Sequence, residues 1–313
     1  MEEKIIQLLK SRQLSFDPKK AEAEHDPIIR SFIDHLLKYP EAWNLLFDWK
    51  DEPQPLIIVR PLNFDYDQLR DALFQNTTES YFVRNFTFSF SRQYRNFSDP
   101  KKIKRVNEFL KKALDADILI SRSEVIFFCL NCGKIVITNR VTNERKCICG
   151  DPYDFSFRLA RIPDNISHEI ISGHLLELFA LRVLERVKGL RLVGMNQDGR
   201  EIYTSIQYEG AGAGENINAE FDILGVKGNI LLMVECKFNR TKYGDIQNFL
   251  KASDNLYYQL REQEPRLKIR KIIFSFDATG LLPIENCSII SLQKVQSVED
   301  MIKEIRRSFE LKS

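Results

Sequence analysis

The sequence predicts an α/β protein: a mixed sheet flanked by helices in the C-terminal half, preceded by an α+β region that carries a cysteine cluster. Three observations predict it. In Asn218–Phe238, NAEFDILGVKGNILLMVECKF, two apolar runs flank the polar turn Lys227-Gly228-Asn229, the pattern of a β-hairpin. Beyond Pro163, helix-period and strand-like segments alternate regularly. Four of the six cysteines fall between Cys129 and Cys149.

A chain of 313 residues accommodates two domains, or one with a substantial insertion. The expected division is an N-terminal α+β domain over 1–123, a cysteine-bearing segment over 124–160 and an α/β domain over 161–313. The hydrophobic fraction is 43% and the charged fraction 29%, ordinary for a globular protein. A net charge of +2 gives no global polyelectrolyte signal, so any nucleic-acid contact must rest on local basic surfaces. No apolar run approaches a membrane span. The opening MEEKIIQLLKSRQ starts acidic and lacks the form of a secretory signal. Clustered cysteines suit a metal site in a reducing compartment better than a disulfide framework, and the expected compartment is the cytoplasm.

Residues 1–50 read as helical, with Ile5, Leu8 and Leu9 on one face and Asp26-Pro27 as a cap and first-turn proline before IIRSFIDHLLKY. LIIVR, 56–60, reads as a strand and Tyr66–Phe74 as a helix. The aromatic run Tyr81–Phe90, YFVRNFTFSF, reads as a strand whose rings pack in a β core or stack on bases. Asp99-Pro100 opens a helix with an apolar stripe of Ile103, Val106 and Leu110; its crowd of lysines is a phosphate-tracking face or a solvated surface. His168–Val187 reads as one long helix. Strands are expected at Leu190–Met195 and Glu201–Tyr208, then a flexible Glu209–Glu215 and the hairpin. A helix over Asp245–Glu262, strands at Lys268–Phe276 and Ser288–Ser291 and a helix from Val298 to Phe309 complete the chain.

Cys129-x-x-Cys132 and Cys147-x-Cys149 are separated by fourteen residues. Four thiolates suit tetrahedral zinc, and a closed four-sulfur shell marks a structural rather than a catalytic ion. Gly133 supplies a permissive backbone just past the first pair. KIVITNRVTNERK between the pairs reads as two short strands around a turn, the layout of a zinc ribbon. His25, His35, His168 and His174 are too scattered for a second site and read as surface or packing residues.

The hairpin carries charge where a buried strand should have none. Glu220 and Asp222 share one face of the first strand, and Glu235 and Lys237 one face of the second. Burying them uncompensated would be costly, and a divalent cation is the economical compensation. Hard oxygen ligands suit Mg2+ or Mn2+. Upstream, Glu177 lies on the apolar stripe of the long helix, either as a functional carboxylate or as a buried glutamate paired with an arginine. Cys236 faces away from Glu235 and Lys237 and reads as a core thiol. The alternative for the whole cluster is a structural set of salt bridges.

The cysteine segment resembles the zinc ribbons of nucleic-acid proteins. The layout before it is similar to the N-terminal region of minichromosome-maintenance helicases, which implies an OB-like, DNA-binding module. Asp222, then Glu235-Cys236-Lys237, resembles the signature of the PD-(D/E)xK, restriction-endonuclease-like nuclease superfamily, with Glu177 in SGHLLELFALRVLER as its helical glutamate. EFD…VECK is particularly similar to nuclease domains of CRISPR ancillary DNases and archaeal junction resolvases; Phe221 stands where the name motif has proline. The resemblance spans roughly residues 165–292. It implies a metal-dependent deoxyribonuclease, with RNA cleavage or non-catalytic nucleic-acid binding as alternatives. Asp222, Glu235 and Glu177 would hold Mg2+ or Mn2+ with the Cys236 carbonyl, and Glu220 would be a further ligand or the partner of a cation such as Arg240. Lys237, its pKa depressed by burial and metal, would orient or deprotonate the attacking water or meet the transition-state charge. Arg240 and Lys242 would hold flanking phosphates, and a homodimer is implied.

Overall fold

The structure is a computed structural model. It describes residues 1–11, 18–76, 80–97, 99–139, 146–197, 200–212, 215–279, 281, 283–285, 287–295 and 297–310, with backbone alone for 18, 19 and 208–219. The chain is mixed α/β and divides into two compact units, Glu41–Ser167 and the pair Met1–Pro40 with His168–Ser313. This differs from the three consecutive segments expected: Met1–Pro40 belongs with the C-terminal half. Among the described residues no helix is long and apolar enough to cross a membrane.

The chain opens with α1 (Glu2–Lys10), α2 (Pro18–His25) and α3 (Pro27–Lys38). Asp26 caps α3 as its sequence suggests, accepting from the N–H of Ile28 at 2.7 Å and of Ile29 at 3.1 Å.

The Glu41–Ser167 unit contains α4 (Ala42–Asp51), β1 (Leu56–Arg60), α5 (Tyr66–Gln75), α6 (Tyr81–Tyr94), α7 (Pro100–Asp115), β2 (Ile120–Phe128), β3 (Ile135–Thr138) and β4 (Phe155–Arg161); α8 (Asp164–Ser172) crosses the boundary. Its four strands pair antiparallel along the open path β1-β4-β2-β3. That four-stranded path replaces the OB-like module, a five-stranded Greek-key barrel, that the layout implied. The aromatic run is α6, not a strand. Val83, Phe86, Phe90 and Tyr94 are buried at helical spacing, while Tyr81 and Phe88 are exposed, and the Ser80 hydroxyl caps the helix by accepting from Val83 N at 3.2 Å. Aromatic content suggests a strand; the three- and four-residue spacing of the buried side chains decides otherwise.

Edge strand β1 has its outer backbone groups closed by side chains. Gln93 of α6 accepts from Ile57 N and donates to Ile57 O, both at 2.7 Å. Asn107 of α7 accepts from Val59 N at 2.9 Å and donates to Val59 O at 2.7 Å. The two amides act as a surrogate strand, which keeps the edge from pairing with another chain. Asn107→Leu strands two buried backbone groups and is expected to cost about 2–4 kcal/mol. Its urea midpoint should fall with an unchanged slope; an unmoved midpoint would show that these bonds carry no weight.

The other unit continues with α9 (His174–Leu184), β5 (Arg191–Leu192), β6 (Met195–Gln197), β7 (Arg200–Ile202), β8 (Thr204–Gly212), β9 (Glu215–Lys227) and β10 (Ile230–Arg240). It closes with α10 (Tyr243–Arg261), β11 (Lys268–Asp277), β12 (Cys287–Ser291) and α11 (Val298–Glu310). Its main sheet runs β12-β11-β10-β9-β5, with β8 also on β9. β9 and β10 form the expected hairpin, Gly228 taking φ +64° in the turn. β10, β11 and β12 are mutually parallel neighbours, and α10 makes the crossover between β10 and β11. Ile5, Ile6 and Leu9 of α1 join Leu224, Leu231, Met233, Phe249 and Ile273 in one buried cluster, which explains why the N-terminus belongs here. In the Glu209–Glu215 stretch, expected to be flexible, Glu209–Gly212 and Glu215 belong to the far end of the β8–β9 ladder; Ala213 and Gly214 lie outside the described residues. The strand expected over 201–208 is split between β7 and β8, and that over 190–195 between β5 and β6.

Candidate functional site

The β9–β10 ladder runs from Ile230↔Lys227 to Val234↔Ile223 and ends there. The next residues would set Asp222 opposite Glu235. Instead the Asp222 carboxylate leaves the ladder pattern and its Oδ2 accepts the backbone N–H of Cys236 at 2.5 Å. The hairpin opens where its charges begin. Glu235 and Lys237 project from one face of β10, with Lys237 Nζ 2.5 Å from Glu235 Oε1, and Cys236 is buried on the other, as strand alternation requires.

Glu177 reaches the cluster by a route the sequence pattern does not show. The expected helix over 168–187 is broken at Gly173, which takes φ +84°, a conformation that favours glycine. The break starts α9 at His174 and places Glu177 in its first turn, where the helix N-terminus favours a carboxylate. Glu177, Asp222 and Glu235 are each only 7% exposed.

Burial, then the charges of Glu177 and Glu235, push the Asp222 carboxyl well above its ordinary range. Burial likewise raises Glu235; Lys237 opposes the shift, and Glu177 and Glu220 add to it. For Lys237, burial works against the charged form, yet Glu235 and Asp222 outweigh it and its pKa is raised. Burial alone does not depress the Lys237 pKa, because Glu235 outweighs it and the side chain is held as an ammonium group; the metal's share of the expected depression belongs to the loaded site.

Several residues at this site have no motif to betray them. Lys20 of α2 places Nζ 3.2 Å from Glu177 Oε1, 3.2 Å from Glu220 Oε1 and 2.5 Å from Ser205 Oγ. Ser205 in turn donates to Glu177 Oε2 at 2.5 Å, from a backbone at φ +51°. A non-glycine residue held there costs on the order of 1–2 kcal/mol, a strain typical of functional sites. Glu24, one turn beyond Lys20, is buried and takes N–H bonds from Tyr203 at 3.1 Å and Thr204 at 3.3 Å and the Thr204 hydroxyl at 3.0 Å. These bonds fasten α2 to the start of β8.

His174, expected as a surface or packing residue, is buried in a chain of polar contacts. Its Nδ1 lies 2.5 Å from Glu169 Oε2, and its Nε2 lies 3.3 Å from Thr204 Oγ1 and 3.8 Å from Glu177 Oε2. Burial opposes the Glu169 charge, but the hydrogen bonds of His174 and His168 prevail and hold its pKa below the ordinary 4.5. A depressed carboxyl contributes stability above its unfolded pKa and loses it as pH falls through the folded value. Glu169→Gln should therefore melt lower than wild type at pH 7, with the gap closing below about pH 4; a gap independent of pH would contradict this.

The remaining site residues are placed as follows. Glu220 pairs with Lys20, not with Arg240. Arg240, its side chain 72% exposed, donates from Nε to Asp277 Oδ2 at 2.9 Å. Lys242 is exposed just before α10, its backbone N–H bound to Asp245 Oδ2 at 2.7 Å. Four carboxylates, Glu177, Glu220, Asp222 and Glu235, thus face two ammonium groups, Lys20 and Lys237. An all-oxygen donor set with excess negative charge fits a hard divalent cation. The carboxylates do not yet stand at ligand spacing: among the described residues, the four cysteines are the group whose ligand atoms all lie within 4.8 Å of one another.

In the Glu41–Ser167 unit, Cys129 and Cys132 sit in the β2–β3 turn, and Cys147 and Cys149 precede β4. Their sulfurs lie 3.7 Å apart for Cys129 and Cys149 and 3.3 Å for Cys132 and Cys147. Sulfurs on one tetrahedral zinc at about 2.3 Å stand about 3.8 Å apart, so the quartet could hold a metal ion such as zinc. Each pair is followed by a left-handed glycine, Gly133 at φ +70° and Gly150 at φ +96°, whose N–H returns to the first cysteine's carbonyl at 2.9 Å. The backbone N–H of Cys149 draws the Cys147 thiol down to about 7, while Cys132 and Cys149 are pushed up, so the quartet holds its first thiolate at Cys147. Strand β3 matches the first arm of the expected ribbon hairpin; the second falls largely on 140–145, outside the described residues.

Along α10, a cleft of about 840 Å³ is lined by Tyr243, Tyr257, Tyr258, Arg261, Arg266 and Lys268, among others. Tyr243 and Tyr258 are 55% and 64% exposed, and the Arg261 guanidinium lies 5.7 Å from the Tyr257 ring centre.

No protein-family model matches the chain, and no curated protein matches it. Among solved structures, the protein VC1899 from Vibrio cholerae is similar at a TM-score of 0.35 and 13% identity, over 91% of this chain and 57% of that protein. The chain thus spans little more than half the length of that relative, and similarity at this level fixes neither fold nor activity.

Proposed function

We propose that the chain is a metal-dependent nuclease that hydrolyses phosphodiester bonds in DNA, with the restriction-endonuclease-like arrangement its motif resembles and the cysteine unit as a zinc-bearing nucleic-acid module. One observation carries this reading. At the open end of the β9–β10 hairpin, three carboxylates that are almost fully buried meet a lysine held as an ammonium group. A cluster kept only for stability would be a poor use of buried charge, since well-packed apolar residues serve as well or better.

Asp222, Glu235 and Glu177 would hold Mg2+ or Mn2+, with Glu220 beside them. A cation bound there supplies Lewis acidity, lowering the pKa of a coordinated water and polarising a phosphoryl oxygen. Lys237, charged and fixed by Glu235, is suited to meet the negative charge that grows on the phosphorus oxygens. Asp222 is oriented by the Cys236 N–H, which donates to its Oδ2. Arg240 and Lys242, exposed where β10 leads into α10, are placed to hold flanking phosphates. The α10 cleft, with cations and exposed tyrosines, suits the phosphates and bases of an unpaired strand.

The test is a panel of end-labelled single-stranded DNA, duplex DNA and RNA of one sequence, incubated with Mn2+ or Mg2+. Cleavage of the single-stranded DNA is expected. Cleavage confined to RNA would move the assignment to a ribonuclease, and no cleavage of any member would refute it.

A further inference from the structure

The acidic cluster already contains a cation, and it comes from the far end of the chain. Lys20 Nζ contacts Glu177, Glu220 and Ser205 at 3.2, 3.2 and 2.5 Å. It sits among the carboxylates proposed as metal ligands, some 157 residues from Glu177 and 200 from Glu220 along the sequence. Its seat is built. Ser205 accepts a strained left-handed backbone and bridges Lys20 to Glu177 through one hydroxyl. Glu24 fixes α2 to Tyr203 and Thr204, immediately beside Ser205.

We infer that Lys20 is a built-in competitor of the divalent metal: its ammonium group occupies the cation position, and metal loading requires it to leave Glu177. The inference rests on the nuclease reading for the identity of the ion. An ammonium group that bridges Glu177 and Glu220 neutralises the carboxylates and props them apart. This accounts for a convergent acidic cluster, with Glu177, Asp222 and Glu235 buried and Glu220 exposed, that is not at metal-ligand spacing. Because Glu24 anchors α2 independently, only the Lys20 side chain has to swing away. Two ligands that exclude each other at one site oppose each other by equal and reciprocal coupling. The lysine therefore sets a threshold: the site loads when the divalent ion is abundant, and otherwise stays compensated and closed.

The experiment is Mn2+ binding to the full zinc-loaded chain by isothermal titration, for wild type, Lys20→Gln and Lys20→Arg, with circular dichroism to check folding. Lys20→Gln should bind Mn2+ roughly tenfold or more tightly than wild type, and Lys20→Arg, which keeps the charge, should stay near wild type. Equal or weaker binding by Lys20→Gln overturns the inference while leaving the metal site standing. If neither folded wild type nor folded Lys20→Gln binds Mn2+, the metal reading itself fails and takes the inference with it. Should Lys20→Gln prove unfolded, the divalent ion must still displace Lys20 in wild type. The Lys20 Nζ resonance, followed in 15N-lysine-labelled protein, should then shift on titration with diamagnetic Mg2+, and a resonance that ignores saturating Mg2+ overturns the inference.

Discussion

Cys147→Ser is expected to release the zinc and to lower the stability of the Glu41–Ser167 unit by at least about 3 kcal/mol, because binding energy at a structural zinc is folding energy. The four sulfurs bring together the β2–β3 turn and the approach to β4, which Leu130 N to Asp154 Oδ2 at 2.7 Å and Asp154 N to Phe128 O at 3.0 Å also join. Without the ion, thiols 3.3–3.7 Å apart have no partner able to gather them. Metal analysis of wild type should return about one zinc per chain. Zinc-free wild type that melts like the loaded protein would remove the site from the account.

Lys237→Ala is expected to reduce the rate of phosphodiester cleavage by about a hundredfold to ten-thousandfold, the range found for groups acting in the transition state. Substrate affinity should change much less, since Lys237 is one cation beside Arg240, Lys242 and the cleft along α10. The split separates catalysis from stability. A structural salt bridge to Glu235 would show as a lower melting temperature with an unchanged rate. Glu235→Gln should also lose activity, through the cation it holds. If both variants cleave like wild type, the hairpin charges are not catalytic.

Local chemistry made much of this protein legible. Asp26 and Asp99 cap the helices their sequences announce, because a cap is decided within a few residues. The β9–β10 hairpin followed from a glycine turn between apolar runs, and side-chain alternation sorted Glu235 and Lys237 from Cys236. Where rules of composition competed with rules of spacing, composition misled: α6 is rich in aromatics but buries them at helical intervals. Gly173 was hidden inside a helical pattern, although its break is what sets Glu177 at a helix start. The other half of the site was not legible at all. Lys20 belongs to PKKAEAEH, a polar helix with no apolar stripe, and its partners lie more than 150 residues away. Ser205 and His174 act through contacts that only the assembled sheet creates. Long-range pairing also decides the partner of Glu220: a cation such as Arg240 is the alternative its sequence offers to a ligand role, and the structure gives Glu220 to Lys20 and Arg240 to Asp277.

The central claim is that the Asp222–Glu235–Lys237 cluster hydrolyses phosphodiester bonds with a divalent cation. The most direct measurement is cleavage of a labelled single-stranded DNA by zinc-loaded wild type and Asp222→Asn under matched Mn2+, with a parallel reaction in which Mn2+ is omitted. The account requires fragments from wild type with Mn2+ alone, and none from Asp222→Asn or without the cation. Equal cleavage by wild type and a folded Asp222→Asn, or cleavage indifferent to Mn2+, would contradict it.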